Sequence, residues 1–313
     1  MGVFDDIQTG LGKGFDAAMD AAGKGFDAAA SATNKALVTR APFIQAFIHL
    51  CDDGWLQGWH ERNGGNLTYR MTEEDVAKVR GGFDSEPRAW VDLGFSEPTL
   101  ANAYFLITGS GAYMHNVSAS PIENIGIVEM NEAGSAYRVV WGLVNRKPTS
   151  ELPTHIMNHA IRMKATDGAC RVIYHAHPNN IIAMTFVEPL DARTFSRALW
   201  KAMTECVVVF PEGVGVVPWM VPGGNEIAKA TSEQMKSYPA VIWAQHGLFV
   251  SGADFDETFG LMHCIEKAAD IYFRARTMNG GSNEFLNTIT DEGLAQIGVE
   301  FNVKINKEFL DVQ

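Results

Sequence analysis

The chain has 313 residues, 46% of them hydrophobic and 20% charged. Such fractions exclude a disordered, collagen-like or coiled-coil protein over most of the length. With 25 Lys and Arg against 37 Asp and Glu, the net charge is −12, so no basic footprint for a nucleic acid is expected.

No apolar run of about 18 residues occurs, so no transmembrane segment is expected. The first residues lack a basic stretch followed by an apolar core, so no secretory signal is expected either. Cys51, Cys170, Cys206 and Cys264 lie far apart with no CxxC pair. That pattern fits reduced core thiols in a cytoplasmic protein.

The N-terminus carries an internal repeat. Residues 12–22 read GKGFDAAMDAA and residues 23–33 read GKGFDAAASAT, a period of 11. Eleven residues make three helical turns at about 3.67 per turn, which places Phe4, Phe15 and Phe26 near one stripe. The glycines weaken such a helix by up to roughly 1 kcal/mol each, so it needs a surface to lie on. Four readings remain: a targeting helix, an interfacial membrane helix, a flexible tail, or a helix packed on the body of the protein. Residues 1–42 hold four basic and five acidic groups, so nearly all of the acidity belongs to residues 43–313.

Beyond Pro42, helical spacing runs over 43–59. A Gly/Asn turn follows at Asn63-Gly64-Gly65-Asn66, then a strand over 67–71. Residues 105–108 predict a strand that ends in Gly109-Ser110-Gly111. Residues 125–130 and 137–144 alternate as a strand pair. A helix is predicted over 149–163, with Thr149 or Ser150 as cap and Glu151 in its first turn. Residues 171–177 predict a strand, and 181–186 and 192–202 predict helices. Residues 206–210 and 240–243 predict short strands, and 256–278 a long helix. The sum is an α/β protein with one domain over 43–313: a central mixed or antiparallel β-sheet flanked by helices. Residues 1–42 form a separate extension.

On a strand, residues i and i+2 share a face, so His175 and His177 present two imidazoles side by side. His246 follows an apolar strand and precedes a glycine. Three histidines with an open position make a catalytic zinc pattern. Surface or core histidines remain the alternative. His155 and His159 are a rival pair at i, i+4, explained by an exposed helix face. Glu151 is either an acid/base or an ordinary first-turn glutamate that suits the helix dipole. Glu205 sits at the edge of a predicted strand. The turns around Asn63 and Ser110, and the helix start at Thr149-Ser150, are suited to an anion. None carries a nucleotide fingerprint.

Together the segments ERNGGNL (61–67), TGSG (108–111), PTSELP (148–153), HAH (175–177) and WMVPG (219–223) resemble the zinc-dependent class II sugar-phosphate aldolases. The resemblance runs from about Pro42 to near the C-terminus. The length of 43–313 and the Gly126–Val144 region favour the rhamnulose-phosphate branch over the shorter fuculose-phosphate aldolases and pentulose-phosphate 4-epimerases. It implies one Zn2+ per subunit on His175, His177 and His246, with Glu151 as catalytic acid/base. It implies that Asn63, Asn66, Ser110, Thr149 and Ser150 bind substrate and phosphate, with Gly65, Gly109 and Gly111 giving backbone access. Glu205 is implied as a second carboxylate that reaches a neighbouring subunit's site in a homotetramer. The implied reaction is reversible cleavage of L-rhamnulose 1-phosphate, a phosphorylated ketose, to dihydroxyacetone phosphate and L-lactaldehyde. A fuculose-phosphate aldolase or a pentulose-phosphate 4-epimerase would use the same metal site. A metal- or sugar-phosphate-binding protein without turnover is the non-enzymatic alternative. The usual family member lacks the extension. An amphipathic helix joined to an aldehyde-releasing enzyme resembles the peptides that deliver enzymes to a bacterial microcompartment shell, which would place the enzyme in such a compartment within the cytoplasm.

Overall fold

The computed structural model describes residues 37–311. The 11-residue repeat and its predicted helix lie outside the described residues. From Pro42 onward the chain alternates helices with nine strands: β1 (Asn66–Arg70), β2 (Val91–Asp92), β3 (Tyr104–Thr108), β4 (Ile125–Met130), β5 (Ala136–Gly142), β6 (Val172–Ala176), β7 (Gly215–Val217), β8 (Ala240–Trp243) and β9 (Gly247–Gly252). They form one sheet in the order β2-β5-β4-β3-β1-β6-β9-β8-β7. The β7–β8 pair is parallel and the other pairs are antiparallel, so the sheet is mixed, as expected.

Period-two alternation sorts the sheet's side chains onto two faces. On one face Leu67, Leu106, Ile127 and Tyr174 join the main core beneath the helices Pro42–Leu56 and Phe255–Met278. On the other face the apolar residues fall into two separate clusters. Phe105, Ile107 and Val128 pack with the helix Leu152–Ala165. Ile173, Val241 and Phe249 pack with the helix Asn225–Met235. The central strand β1 lies between them, and its alternate residues Asn66 and Thr68 are polar and buried. This face is therefore split by a polar seam, and the functional site grows from it.

Three expectations are corrected. Residues 206–210, expected as a strand, belong to a short helix, Glu205–Val209. Phe210 N–H donates to Cys206 O at 2.9 Å, a helical bond. A five-residue apolar run has no period that separates the two forms. The predicted helix over 149–163 starts at Leu152, with Pro153 in its first turn and Glu151 just outside it. His155 and His159 are fully buried, not exposed. The strands β2, β7 and β9 and the helices Glu73–Val79, Asn225–Met235 and Asp291–Glu300 were not anticipated. All four cysteines are free thiols. Among the described residues no helix is long and apolar enough to cross a membrane.

Candidate active site

His175 lies on β6 at the seam, and His177 follows just past the strand's end. The turn between β8 and β9 carries His246, whose N–H donates to Trp243 O at 3.1 Å. Gln245, the residue before it, has φ +55°, a left-handed conformation that costs a side-chain-bearing residue. Thr185 holds it there: Gln245 N–H donates to Thr185 Oγ1 at 3.0 Å and Gln245 Nε2 to Thr185 O at 2.9 Å. Gly247, the glycine that follows His246, is required for close packing. A Cβ there would meet Ala176 O at 2.5 Å and His175 Cε1 at 2.9 Å. Its missing side chain lets the histidines converge.

The three histidines each offer a nitrogen, and these atoms lie within 4.8 Å of one another. The His175 Nδ1 stands 3.1 Å from Leu248 O, an acceptor only, so this nitrogen donates. His177 Nδ1 faces the Glu61 carboxylate at 2.7 and 2.9 Å and donates likewise. In the neutral rings both Nε2 atoms are then bare lone pairs, and they face each other at 3.2 Å. Burial holds the His175 pKa well below its ordinary value and pushes His246 down to about 4, with the neighbouring His177 adding to both. Two lone pairs turned on one point repel unless a cation lies between them. The donor set therefore fits a divalent metal ion held by neutral imidazoles. Glu61 and the Leu248 carbonyl orient the ligands, as the outer partners of metal-bound histidines do.

Glu151 adjoins this cluster. Its Oε2 is 3.6 Å from His175 Nε2 and accepts from Asn66 Nδ2 at 2.9 Å. Burial pushes its carboxyl up to about 7, against the opposing hydrogen bond from Asn66. A carboxyl poised near neutrality is suited to move a proton in either direction. Its backbone N–H donates to Thr149 Oγ1 at 3.3 Å, so Thr149 fixes the turn before the helix rather than capping the helix itself.

The expected anion turn at Ser110 is stitched to the segment Thr149-Ser150. Thr149 N–H donates to Thr108 O at 3.0 Å and Ser110 N–H donates to Lys147 O at 2.8 Å. Ser110, Thr149 and Ser150 line one cavity of about 300 Å³. A Cβ on Gly109 would strike Leu143 Cδ2 at 2.7 Å, and Gly111 has φ +70°. Gly65, with φ +76°, brings its turn against His175 O, which a Cβ would meet at 2.7 Å. Asn63 is exposed on the loop before it. Asn66, expected to bind substrate, is buried, and its amide nitrogen donates to Glu151 Oε2 at 2.9 Å. Glu205 joins none of these groups within one chain. It is exposed at the start of its helix, beside Cys206 and Cys264.

Sequence reasoning missed Glu61, Thr185 and the pair His155–Thr68. Glu61 lay inside a recognised motif without a role. Thr185 has no sequence signal, because its contact with Gln245 spans 60 residues.

The profile described as Class II Aldolase and Adducin N-terminal domain matches residues 45–273. The chain belongs to this family. Curated relatives named rhamnulose-1-phosphate aldolase, from Shigella sonnei and Escherichia coli, are 45% identical over 267 residues. That match covers 85% of this chain and 96% of each relative. Among solved structures, a sugar-phosphate aldolase from Thermotoga maritima superposes with a TM-score of 0.63 at 28% identity, over 76% of this chain and 95% of that one. An L-fuculose-1-phosphate aldolase from Thermus thermophilus shares the fold, with a TM-score of 0.52 at 20% identity, over 79% of this chain and 100% of that one. Class II aldolases are metal-dependent, and the histidine cluster of this member is a site able to hold the ion.

Proposed function

We propose that the chain is a lyase that cleaves L-rhamnulose 1-phosphate reversibly to dihydroxyacetone phosphate and L-lactaldehyde. The observation that carries the mechanism is the buried Glu151 carboxylate beside the converging histidines His175, His177 and His246. The 45% identity to curated rhamnulose-1-phosphate aldolases, over nearly their whole length, supports the substrate.

Cleavage breaks the bond between carbons 3 and 4, and the electron pair stays on carbon 3. A zinc ion on the three imidazoles would supply positive charge to stabilise the negative charge that develops on the three-carbon phosphate. Protonated Glu151 gives its proton to carbon 3, and in synthesis its carboxylate takes that proton back. The carboxyl's position near pH 7 keeps both forms populated. Ser110, Thr149 and Ser150, with the backbone of Gly65, Gly109 and Gly111, hold the phosphate end, and Asn63 binds the substrate beside them. The hydroxyl proton on carbon 4 must leave as the aldehyde forms. Glu205 from a neighbouring subunit of a homotetramer receives it, which accounts for its exposure within one chain.

The domain division at residue 42 and delivery to a microcompartment shell by residues 1–40 belong to the same reading. The 11-residue repeat and the release of an aldehyde support them. A fusion of residues 1–40 to a fluorescent protein tests delivery. Puncta in a cell that makes shells are expected, and diffuse fluorescence would contradict it.

The substrate is tested by incubating the purified enzyme with rhamnulose, fuculose and pentulose phosphates, with and without a chelator. Chelator-sensitive lactaldehyde release, fastest from rhamnulose 1-phosphate, is expected. An epimerised pentulose phosphate with no aldehyde would overturn the assignment.

A further inference from the structure

The polar seam does not stop at Glu151. Four more buried side chains continue it inward: Asn66, His155, Thr68 and His159. His155 Nε2 bonds to Asn66 Oδ1, His155 Nδ1 lies 2.7 Å from Thr68 Oγ1, and His159 Nε2 lies 2.8 Å from the same oxygen. Each link spans 85 residues or more of chain, or crosses between β1 and the helix Leu152–Ala165, so tertiary packing assembles the row.

The chemistry of each group fixes the direction of every bond. Asn66 donates from its amide nitrogen to Glu151 Oε2 and so turns its oxygen away, toward His155. That oxygen only accepts, so His155 donates from Nε2. Burial keeps the His155 ring neutral, with its pKa pushed down to about 3, so Nδ1 is a bare acceptor. The Thr68 hydroxyl donates to it. The Thr68 oxygen then accepts from His159 Nε2–H. His159, also held neutral by burial, ends the row with an Nδ1 that has no partner among the described residues.

All the donors thus point one way, from His159 through Thr68, His155 and Asn66 to Glu151. A row with one permitted direction has one permitted Asn66 orientation. If Asn66 flipped, its oxygen would face the carboxylate, and each bond behind it would have to reverse or break. A buried polar group left unpaired costs more than its bond contributes, so the row acts as a unit.

We propose that Thr68, His155 and His159 are positioning residues: a one-way hydrogen-bonded row that locks Asn66 and, through it, sets the Glu151 carboxylate beside His175. None of the three touches the substrate. They hold the acid/base at the angle and distance that proton transfer to carbon needs, where small misplacements are costly. This proposal rests on the reading of Glu151 as the acid/base.

The variant Thr68→Val keeps the side chain's shape and removes its donor and acceptor. In the intact zinc enzyme we expect kcat to fall on the order of ten- to hundredfold. KM should stay within about twofold, because the phosphate turns are untouched. Thr68→Ser, which restores the hydroxyl, should recover most of kcat. A purely structural Thr68 would lower stability and leave kcat per folded site unchanged, and that result would overturn the proposal. If Thr68→Val does not fold, nitrogen NMR of histidine-labelled wild-type enzyme decides. His155 should carry its proton on Nε2, and a proton on Nδ1 would overturn the row's direction. Glu151→Gln separates the two levels. If it keeps proton exchange, the reading of Glu151 falls; if it is inactive while Thr68→Val is fully active, only the row falls.

Discussion

The Nε2 atoms of His175 and His177 face each other across 3.2 Å while their Nδ1 atoms are held by the Leu248 carbonyl and the Glu61 carboxylate. The outer partners decide which nitrogen of each ring is free, and the free nitrogens meet at one point. Glu61→Ala removes one of these partners. It should weaken zinc binding on the order of ten- to hundredfold, read by competition with a coloured chelator. Zinc affinity equal to wild type would show that Glu61 does not orient His177.

Gly65 occupies φ +76°, and a Cβ there would clash with His60 Nδ1 and meet His175 O at 2.7 Å. Gly65→Ala therefore suffers both backbone strain and a clash with backbone. We expect a loss of about 1–3 kcal/mol, seen as a lower thermal midpoint. KM for the phosphorylated substrate should rise as the turn shifts. An unchanged KM would detach this turn from the phosphate site.

Buried neutral histidines make the fold sensitive to acid. Burial pushes His60 down to about 4 and His155 to about 3, from 6.5. Between those values the unfolded chain binds protons that the folded chain refuses. Stability should thus be full above about pH 6.5 and fall as pH drops, by about 1.4 kcal/mol per pH unit for each ring. Urea unfolding at pH 7 and pH 5 measures the slope. His155→Gln should lower that slope by about one proton's worth.

Asp291 anchors the C-terminal helix to the rest. Its carboxylate is paired with Arg197 at 2.7 Å and with Lys201 at 2.6 Å. Burial opposes its ionisation, but these partners outweigh it and hold its carboxyl well below the usual range. Its stabilisation is present above the ordinary carboxylate range and is lost only in strong acid. Asp291→Asn should cost about 2 kcal/mol at neutral pH by thermal or urea unfolding, leaving kcat unchanged.

Much of the site was legible in the sequence because its chemistry is local. His175 and His177 share a face through strand period, and the motifs around Ser110 and Thr149 carry their donors in adjacent residues. The mixed sheet followed from strands too close in sequence for parallel crossovers. What the sequence hid is long-range. A helical pair such as His155 and His159 reads the same on a wet face or a buried one, and only the approach of Thr68 from β1 distinguishes them. The apolar run after Glu205 is short enough to suit helix or strand, and packing chose helix. Glu61 gains its role from a residue 116 positions away.

The central claim is that Glu151 moves the proton at carbon 3 of the three-carbon phosphate. It is tested most directly by following exchange of that proton in dihydroxyacetone phosphate with heavy water, for wild type and Glu151→Gln, with bound zinc measured in both. We expect rapid exchange in the wild type and none in the variant, with zinc content unchanged. Undiminished exchange in zinc-loaded Glu151→Gln would contradict the assignment.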